Sequence, residues 1–418
     1  MEHQPIMNIG MIGHVSDGKS TITKALTGKA TQQHSHERQK NITIRIGYAN
    51  AKILKCTSCE TPECYYSTSS DDYELKCPRC KSDSILMNHV SFVDCPGHNM
   101  LTATMLNGTS VMNYTILVES VSNINIPAPQ TLEHFNAIKN MNIRNICTVL
   151  NKIDLVNKDK CYELCEKLQD FLDQNNCKSK LIPMSATIGI NLDILCMILA
   201  NLPKPTYNTE LLKMPIIRSF NINKPGTKIE DIQGGVIGGS IISGKININD
   251  ELYLVPGIIT TISKDMVDKT VYKPLICKIE SINSEKNSLT EAGQGGLIGI
   301  KLNIDPGLTC DDKLTGNIIT NKITGVVTNS FETEFNMDKT VIDYNKSYIF
   351  NINSNNINGK IFSRKAKNTI KIKLENYQYI DENDIITISN TENNSINLIG
   401  LCKFSKKSQH SEIECYNI

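Results

Sequence analysis

Near the start of the chain, a short apolar run leads into a glycine-framed loop whose residue types and spacing suit phosphate binding. The letters GHVSDGKST contain the spacing GxxxxGKS, directly after a predicted strand and directly before a helical pattern. Backbone N–H groups of such a loop converge on a phosphate, the lysine neutralises the outer phosphates, and the serine hydroxyl suits Mg²⁺. A glycine turn that matches by chance is the alternative. The predicted nucleotide-binding residues here are Gly13, Asp17, Gly18, Lys19, Ser20 and Thr21.

A second candidate group is the run DCPGH, which follows a buried strand predicted over 90–93. Asp94 would hold Mg²⁺ through water, and Gly97 would offer a backbone N–H to a γ-phosphate without a side chain in the way. His98 would orient an attacking water and is therefore the candidate catalytic residue. An exposed or hydrogen-bonded loop histidine is the alternative for His98 alone, but its place directly after DCPG favours the catalytic interpretation.

Two further runs, NKID and SAT, are typical of guanine recognition when they follow strands. The aspartate carboxylate of NKID takes the two N–H donors of the base, and the lysine stem lies along the base face. The backbone N–H of Ala186 in SAT would donate to the guanine carbonyl oxygen; SAT alone is weak evidence. The predicted guanine-binding residues are Asn151, Lys152, Asp154, Ser185, Ala186 and Thr187.

Thr43 is the candidate sensor of the bound nucleotide. It follows a polar segment, residues 29–40, at the start of an alternating pattern over 41–53 that predicts a strand. A threonine that closes over the γ-phosphate can bind Mg²⁺ and change a loop between ordered and disordered states. A β-propensity threonine in an edge strand is the alternative. The expected Mg²⁺ ligands are Ser20, Thr43 and Asp94.

A cysteine-rich segment predicts a structural zinc site. Cys56 and Cys59 form one CxxC pair, and Cys77 and Cys80 form another after seventeen intervening residues. Each pair can bind one side of a tetrahedral Zn²⁺, and a closed four-thiolate site leaves no open position for catalysis. Cys64 is a possible substitute ligand, and free thiols are the alternative to a metal.

The order of these motifs predicts the elements that position them. Strands alternate with helices up to about residue 210, which is typical of an α/β P-loop GTPase domain with a doubly wound, mostly parallel sheet. A zinc-ribbon insert is expected over residues 54–84. Beyond Pro203 and Pro205 the helical period disappears, and short β-rich runs separated by glycine turns predict two all-β barrels, over 211–324 and 325–418.

Composition excludes few classes of function. The 418 residues carry 44 Lys and Arg against 43 Asp and Glu, a net charge of +1, so no global basic character indicates a nucleic-acid binder. The sequence shows no N-terminal signal with an apolar core and no apolar run of about 18 residues. We therefore expect a cytoplasmic protein with no membrane partner, in which the 15 cysteines are reduced or bind metal.

The motifs together resemble those of the translational GTPases and, among them, the gamma subunits of eukaryotic and archaeal translation initiation factor two. The resemblance covers nearly the whole chain and is carried by GHVSDGKST, NITIRIGYANAK, HVSFVDCPGHNMLTATMLNG, APQTLEH, NKIDLV, IRSFNINKPG, GGVIGGSI and GGLIGI. The zinc-ribbon insert, which lies between the segment that contains Thr43 and the DCPGH run, is a further mark of the same subunit.

This resemblance implies an enzyme that hydrolyses GTP to GDP with Mg²⁺ and carries a structural Zn²⁺. It implies delivery of methionyl initiator tRNA to the small ribosomal subunit, as the core of a heterotrimer with alpha and beta subunits. GTPase-activating and nucleotide-exchange factors are further implied partners. Tyr48 in GYANAK is carried over as a candidate tRNA-pocket residue, and a packed strand tyrosine is its alternative.

Two departures from the family pattern keep other functions open. Asp17 stands where the family usually has His, which places a carboxylate in a phosphate loop unless its side chain points to solvent or towards a cation. The last barrel is short and rich in Asn. One rival is an elongation-type or selenocysteine-type carrier of aminoacyl-tRNA, and another is a non-hydrolysing, nucleotide-dependent scaffold.

Overall fold

The computed structural model consists of two compact units, Met1–Thr206 and Tyr207–Ile418. The described residues are 3–31, 46–98, 102–205, 210–264, 267–336, 342–366, 369–382, 384–392, 395–405 and 413–415. In those ranges no helix is both long and apolar enough to span a bilayer.

A seven-stranded mixed sheet forms the centre of the described part of the N-terminal unit, in the order β3-β2-β4-β1-β5-β6-β7. Its strands are β1 (Met7–Gly13), β2 (Gly47–Cys56), β3 (Tyr65–Ser69), β4 (Ser84–Asp94), β5 (Tyr114–Ser120), β6 (Arg144–Asn151) and β7 (Lys180–Pro183). Strand β1 pairs in parallel with β4 and β5, and β6 extends the parallel part to β7. The predicted doubly wound α/β sheet is therefore confirmed, with β2 and β3 as an antiparallel edge.

Helices cover both faces of this sheet. The described helices are α1 (Lys19–Thr27), α2 (Thr102–Thr109), α3 (Pro129–Asn140), α4 (Lys158–Gln174) and α5 (Leu192–Ala200), with a 3₁₀ turn at Ile153–Leu155. Helices α1 and α5 pack on the face that carries Ile9 and Met11, and α3 and α4 pack on the face that carries Ile12. Because both faces are buried, β1 reads as a continuous apolar run rather than an alternating one.

Two sequence-based boundaries can be compared with these elements. The predicted helix from Lys19 to Gly28 is confirmed, since α1 ends at Thr27 and Gly28 closes it with a φ of 71°. In the described residues, the strand predicted over 41–53 is present from Gly47 and continues to Cys56, where it enters the insert. Residues 41–45, Thr43 among them, lie outside the described residues.

The first β-rich part of the C-terminal unit is a barrel-like sheet whose pairings run through β11, β16, β8, β9, β15 and β12 and return to β11. Its strands are β8 (Met214–Phe220), β9 (Val236–Gly239), β10 (Ile246–Asn247), β11 (Glu251–Lys264), β12 (Val267–Ser284), β13 (Asn287–Leu289), β14 (Glu291–Ala292), β15 (Ile298–Leu302) and β16 (Ile318–Thr320). Two 3₁₀ helices lie at Ile229–Asp231 and Pro306–Asp312. A core of Ile, Leu and Met side chains fills this barrel.

The second β-rich part is a closed barrel in the order β17-β20-β19-β18-β21-β22. Its strands are β17 (Val326–Asn336), β18 (Tyr348–Ile352), β19 (Asn355–Ala366), β20 (Thr369–Ile380), β21 (Ile385–Glu392) and β22 (Ser395–Lys403). A short β23 (Glu414–Cys415) pairs with β12 of the first barrel. The two predicted all-β barrels are thus present, and the domain limits 210 and 324 remain our proposals.

Candidate nucleotide site

The glycine-framed loop leaves the carboxyl end of β1 in a conformation that requires its glycines. Gly13 has a φ of 142° and Gly18 a φ of 98°, a region of backbone conformation that L side chains rarely adopt. A Cβ at Gly13 would collide with the backbone oxygen of Val118 on β5, and one at Gly18 would collide with the Asn151 amide. The loop is therefore held between β5 and the end of β6, with its amides near the start of α1.

Lys19 lies at the centre of the loop. Its side chain is buried, and Nζ donates to the backbone oxygens of Gly13 at 3.0 Å and His14 at 2.6 Å. Burial lowers the pKa of this lysine, while the Asp17 and Asp94 carboxyls act in the opposite direction. Such a lysine lies where outer phosphates bind in phosphate loops, so it fits the predicted role.

The DCPGH run meets this loop at the same edge of the sheet. Parallel pairing places Asp94 opposite Met11, and Asp94 Oδ2 accepts from Thr31 Oγ1 at 2.5 Å. A Cβ added to Gly97 would lie 2.5 Å from Lys19 Nζ and 2.9 Å from the Val15 backbone nitrogen, so a glycine here lets the two backbones approach closely. His98 follows with an exposed side chain. The structure thus brings Asp94 and Gly97 to the phosphate loop.

The Asn151 amide joins the end of β6 to two other loops. Asn151 Oδ1 accepts from the backbone N–H of Ala186 at 3.2 Å, and Nδ2 donates to the backbone oxygen of Asp17 at 2.8 Å. The NKID run then turns sharply, since Lys152 has a φ of 65°. The other predicted guanine-binding residues comprise buried Ser185 and exposed Asp154 and Thr187.

Helix α3 supports the loop through three side chains that the sequence did not single out. Each accepts a hydrogen bond from one of three successive loop amides. Positions 130, 131 and 134 share one face of the helix that begins at Pro129. Their spacing within APQTLEH was the sequence signal that could have identified them. The pairs are Gly13 with His134 Nδ1 (3.2 Å), His14 with Thr131 Oγ1 (3.2 Å) and Val15 with Gln130 Oε1 (3.3 Å).

His134 is held neutral by its surroundings. Burial, and to a smaller extent Lys19, lower the pKa of His134 to about 3. A neutral ring that accepts at Nδ1 carries its proton on Nε2. The residue therefore acts on the Gly13 amide as an acceptor.

From the sequence we expected the Asp17 side chain to point either to solvent or towards a cation. Neither expectation describes it fully, because the side chain is buried and hydrogen-bonded. Its side chain is 1% exposed, and Oδ2 accepts from the backbone N–H of His14 at 3.1 Å. Oδ1 accepts from Asn123 Nδ2 at 2.9 Å. Burial raises the pKa of Asp17, while Asn123, Lys19 and His14 act to lower it. Hydrogen bonds from the His14 amide and from Asn123, in the loop after β5, thus accommodate the carboxyl near Lys19.

The four predicted zinc ligands converge at the end of the antiparallel edge of the sheet. Their sulfur atoms all lie within 4.8 Å of one another. The Sγ–Sγ distance is 3.4 Å between Cys56 and Cys80, 3.8 Å between Cys59 and Cys77, and 3.5 Å between Cys59 and Cys80. A tetrahedral Zn²⁺ at about 2.3 Å from each sulfur requires separations of about 3.8 Å, so the donor set fits zinc.

Cys64 is not part of this cluster. It is buried in the core and its Sγ lies 3.6 Å from Thr61 Oγ1. The possible substitute ligand is therefore not brought to the other four sulfurs. Tyr48, the tentative tRNA residue, is half-buried on β2 opposite Val93.

Comparison with known proteins shows which class of protein this fold and site belong to. The family profile described as "Elongation factor Tu GTP binding domain" matches residues 4–213. Among solved structures, a bacterial selenocysteine-specific elongation factor has a TM-score of 0.70 at 20% identity, over 96% of this chain and 58% of that one. The elongation factor SelB of Methanococcus maripaludis with a GTP analogue has a TM-score of 0.67 at 21% identity, over 97% and 80%. These two likenesses concern the fold alone.

Three curated relatives are much more similar in sequence. The "Eukaryotic translation initiation factor 2 subunit gamma" of Encephalitozoon cuniculi is 43% identical over 323 residues, 76% of this chain and 72% of the relative. The protein of the same name from Schizosaccharomyces pombe is 41% identical over 77% and 73%. "Eukaryotic translation initiation factor 2 subunit 3" of Drosophila melanogaster is 41% identical over 76% and 68%. The chain belongs to the gamma-subunit family of eukaryotic translation initiation factor 2 and is a translational GTPase.

Proposed function

We propose that this chain carries methionyl initiator tRNA to the small ribosomal subunit in its GTP form, and that it hydrolyses GTP when the start site is selected. The observation that supports this most directly is the high identity to gamma subunits in a chain whose phosphate loop, DCPGH, NKID and SAT runs meet at one sheet edge. The names of those relatives describe one subunit of a larger factor, so we propose a heterotrimer with alpha and beta subunits.

Guanine nucleotide binding follows from residues on four loops. Backbone amides of the phosphate loop and Lys19 would hold the phosphates, and the Asp154 carboxylate would accept from guanine. Asn151 would keep the NKID and SAT loops in register with the phosphate loop, as its two hydrogen bonds already do. Thr21, Lys152, Ser185, Ala186 and Thr187 complete the proposed nucleotide contacts.

The proposed hydrolysis depends on how the chain orients a water molecule. His98 would accept a hydrogen bond from the attacking water, and the exposed position of its side chain leaves it able to turn towards the phosphates. Lys19 and the loop amides would stabilise charge that develops on the γ-phosphate. Ser20, Thr43 and Asp94 offer the oxygen donors that Mg²⁺ prefers, and the ion would neutralise phosphate charge when bound.

The zinc site has a structural role in this proposal. Cys56 and Cys77 are buried with the core of the N-terminal unit, so a bound Zn²⁺ would fix the insert to the sheet. Four thiolates close the coordination shell and leave no position for a substrate. GTPase-activating and nucleotide-exchange factors are proposed partners, and the cytoplasm is the proposed location.

The deciding experiment measures retention of labelled methionyl initiator tRNA on the purified chain, with elongator methionyl-tRNA as the competitor. Each tRNA is tested with a non-hydrolysable GTP analogue and with GDP, and all four combinations are repeated with the alpha subunit. We expect selective capture of initiator tRNA in the GTP form.

Each of the other outcomes contradicts this proposal in a different way. Equal capture of both tRNAs would favour an elongation-type or selenocysteine-type carrier. Absence of capture even with the alpha subunit would favour a nucleotide-dependent scaffold. Single-turnover GTP cleavage with ribosomes separates the scaffold from a true GTPase, because a scaffold leaves GTP intact.

A further inference from the structure

Two buried carboxyl groups lie on either side of one amide beside the phosphate loop. Asn123 Nδ2 donates to Asp17 Oδ1 at 2.9 Å and to Glu119 Oε1 at 2.5 Å. The Glu119 side chain is fully buried at the end of β5, and the backbone N–H of Ala128 lies 3.2 Å from each of its carboxyl oxygens. An amide nitrogen carries two hydrogens, so it can donate to both carboxyls at once.

This arrangement is unfavourable when both groups are charged. Two carboxylates that share one site repel each other, and burial removes the water that would screen them, so one of them retains a proton to higher pH. Burial, together with the Asp17 carboxyl, raises the pKa of Glu119 to about 7. Burial also raises the pKa of Asp17, although Asn123 and Lys19 act to lower it. We therefore treat the two groups as one pair that loses its last proton near neutral pH.

The pair is connected directly to the nucleotide-binding backbone. Asp17 Oδ2 accepts from the His14 amide, an N–H that also lies 3.2 Å from Thr131 Oγ1. The backbone oxygen of Asp17 accepts from Asn151. A change of charge on the pair therefore acts on the loop that would hold the phosphates.

We propose that Asp17 and Glu119 are positioning residues for nucleotide binding. In the proposed state, one of the two carboxyl groups keeps a proton while Asn123 donates to both, and the phosphate loop is held in its binding conformation. Loss of that proton places a second negative charge beside the nucleotide phosphates and weakens binding. The proposal rests on guanine nucleotide binding at this loop and is independent of tRNA delivery.

The direction of the pH effect follows from the charges. Bound phosphates are negative, so they favour the protonated pair, and affinity attributable to the pair is fully present below neutral pH and is lost as pH rises above about 7. Burial lowers the pKa of His14 and His134 and raises that of Cys95, which shifts all three groups away from titration between pH 7 and pH 8.5. Among the described residues, the charged or titratable groups that act on Asp17 directly are His14 and Lys19. Asp94, Cys95, His98 and His134 interact in turn with Lys19 or His14.

The test compares GDP affinity of the wild-type chain and of Glu119→Gln between about pH 6 and about pH 8.5, by titration with fluorescent GDP. Because GDP and other groups titrate in both proteins, the informative quantity is the ratio of the two dissociation constants at each pH. We expect the ratio of the wild-type to the Glu119→Gln dissociation constant to rise by about fourfold between pH 7 and pH 8.5, because one unit of pKa coupling sets a tenfold limit that is approached only above the pKa of the bound state. Glu163→Gln, an exposed α4 residue paired with Lys160 and Lys167, is the matched control and should follow the wild type.

A residue with only a structural role would change GDP affinity by the same factor at every pH. A constant ratio, for Glu119→Gln and for Asp17→Asn alike, would therefore overturn the proposal, as would absence of GDP binding by the wild type at every pH. Circular dichroism checks that each variant folds. If Glu119→Gln does not fold, the comparison of Asp17→Asn with the wild type decides the result. Failure of initiator-tRNA capture with a normal GDP profile would contradict only the proposed tRNA role.

Discussion

Asn151 Nδ2 donates to the backbone oxygen of Asp17 at 2.8 Å, across 134 positions of sequence. The other end of the same amide accepts from Ala186, so one side chain fixes the relative positions of the phosphate loop and two predicted guanine loops. Both bonds are buried. A buried amide that satisfies two backbone groups cannot be truncated without leaving both unpaired.

Asn151→Ala should therefore weaken GDP binding by about tenfold or more, because each unpaired buried group costs about 1–3 kcal/mol. Titration with fluorescent GDP measures the loss. Asn201→Ala is the matched control, since Asn201 is exposed directly after α5 and its side-chain amide donates to the Met197 backbone oxygen. Equal GDP affinity in Asn151→Ala and the wild type would contradict the role assigned to this amide.

His98→Ala should abolish ribosome-stimulated GTP hydrolysis and leave GTP binding unchanged. The exposed side chain supports no core packing, so the fold should be retained. General base or water-positioning residues contribute about 10²–10⁴-fold to rate, and a loss in that range is expected in single-turnover assays with ribosomes. His3→Ala, an exposed histidine beside Tyr73, provides the control. Stimulated hydrolysis at the wild-type rate would exclude His98 from the reaction.

Removal of zinc should destabilise the N-terminal unit. The four sulfurs are close enough to hold one ion, and Cys56 and Cys77 are part of the core, so an apo site would loosen the insert and the adjacent edge strands. Elemental analysis should find one zinc per chain, and a chelator should lower the unfolding temperature. Cys80→Ser should reduce the zinc content, whereas Cys161→Ser on α4 should not. Full stability of a zinc-free preparation would contradict a structural metal.

The sequence alone predicted the parts of the site that depend on local spacing. Gly13 and Gly18 sit where the loop needs positive φ, and the four cysteines converge because two CxxC turns bind from opposite sides. Each of these signals is contained within a few consecutive residues. The P-loop fold class followed from their order along the chain.

The pair formed by Asp17 and Glu119 could not be predicted from local spacing. Asp17 and Asn123 are 106 positions apart, and they meet because β1 pairs with β5, which sets the loops after both strands side by side. Nothing in the letters of ESVSN, residues 119–123, shows that the Glu119 carboxyl turns inwards and accepts from the half-buried Asn123 amide. Register between strands decides such contacts, and composition and periodicity do not specify it.

Lys213 at the start of the first barrel provides the last test, one of stability. Its Nζ lies 2.9 Å from Asp381 Oδ2 and 2.6 Å from Asp384 Oδ1, and all three side chains are less than 20% exposed. Burial by itself lowers the pKa of Lys213, but the two carboxyls outweigh it and the pKa is raised. The ammonium therefore remains charged and compensates two nearly buried carboxyl groups in the second barrel.

Lys213→Met should lower the free energy of unfolding by about 3–5 kcal/mol, because removal of one partner leaves the buried opposite charge uncompensated. Lys167→Met removes the exposed pair with Glu163 and should change the unfolding midpoint little, because water screens that pair. Guanidinium-induced unfolding of the full chain, followed by circular dichroism, measures both changes. Similar losses in the two variants would show that the buried pair contributes no more than a surface pair. A larger loss confined to Lys213→Met would show that the ion pairs of Lys213 with Asp381 and Asp384 stabilise the two barrels as one unit.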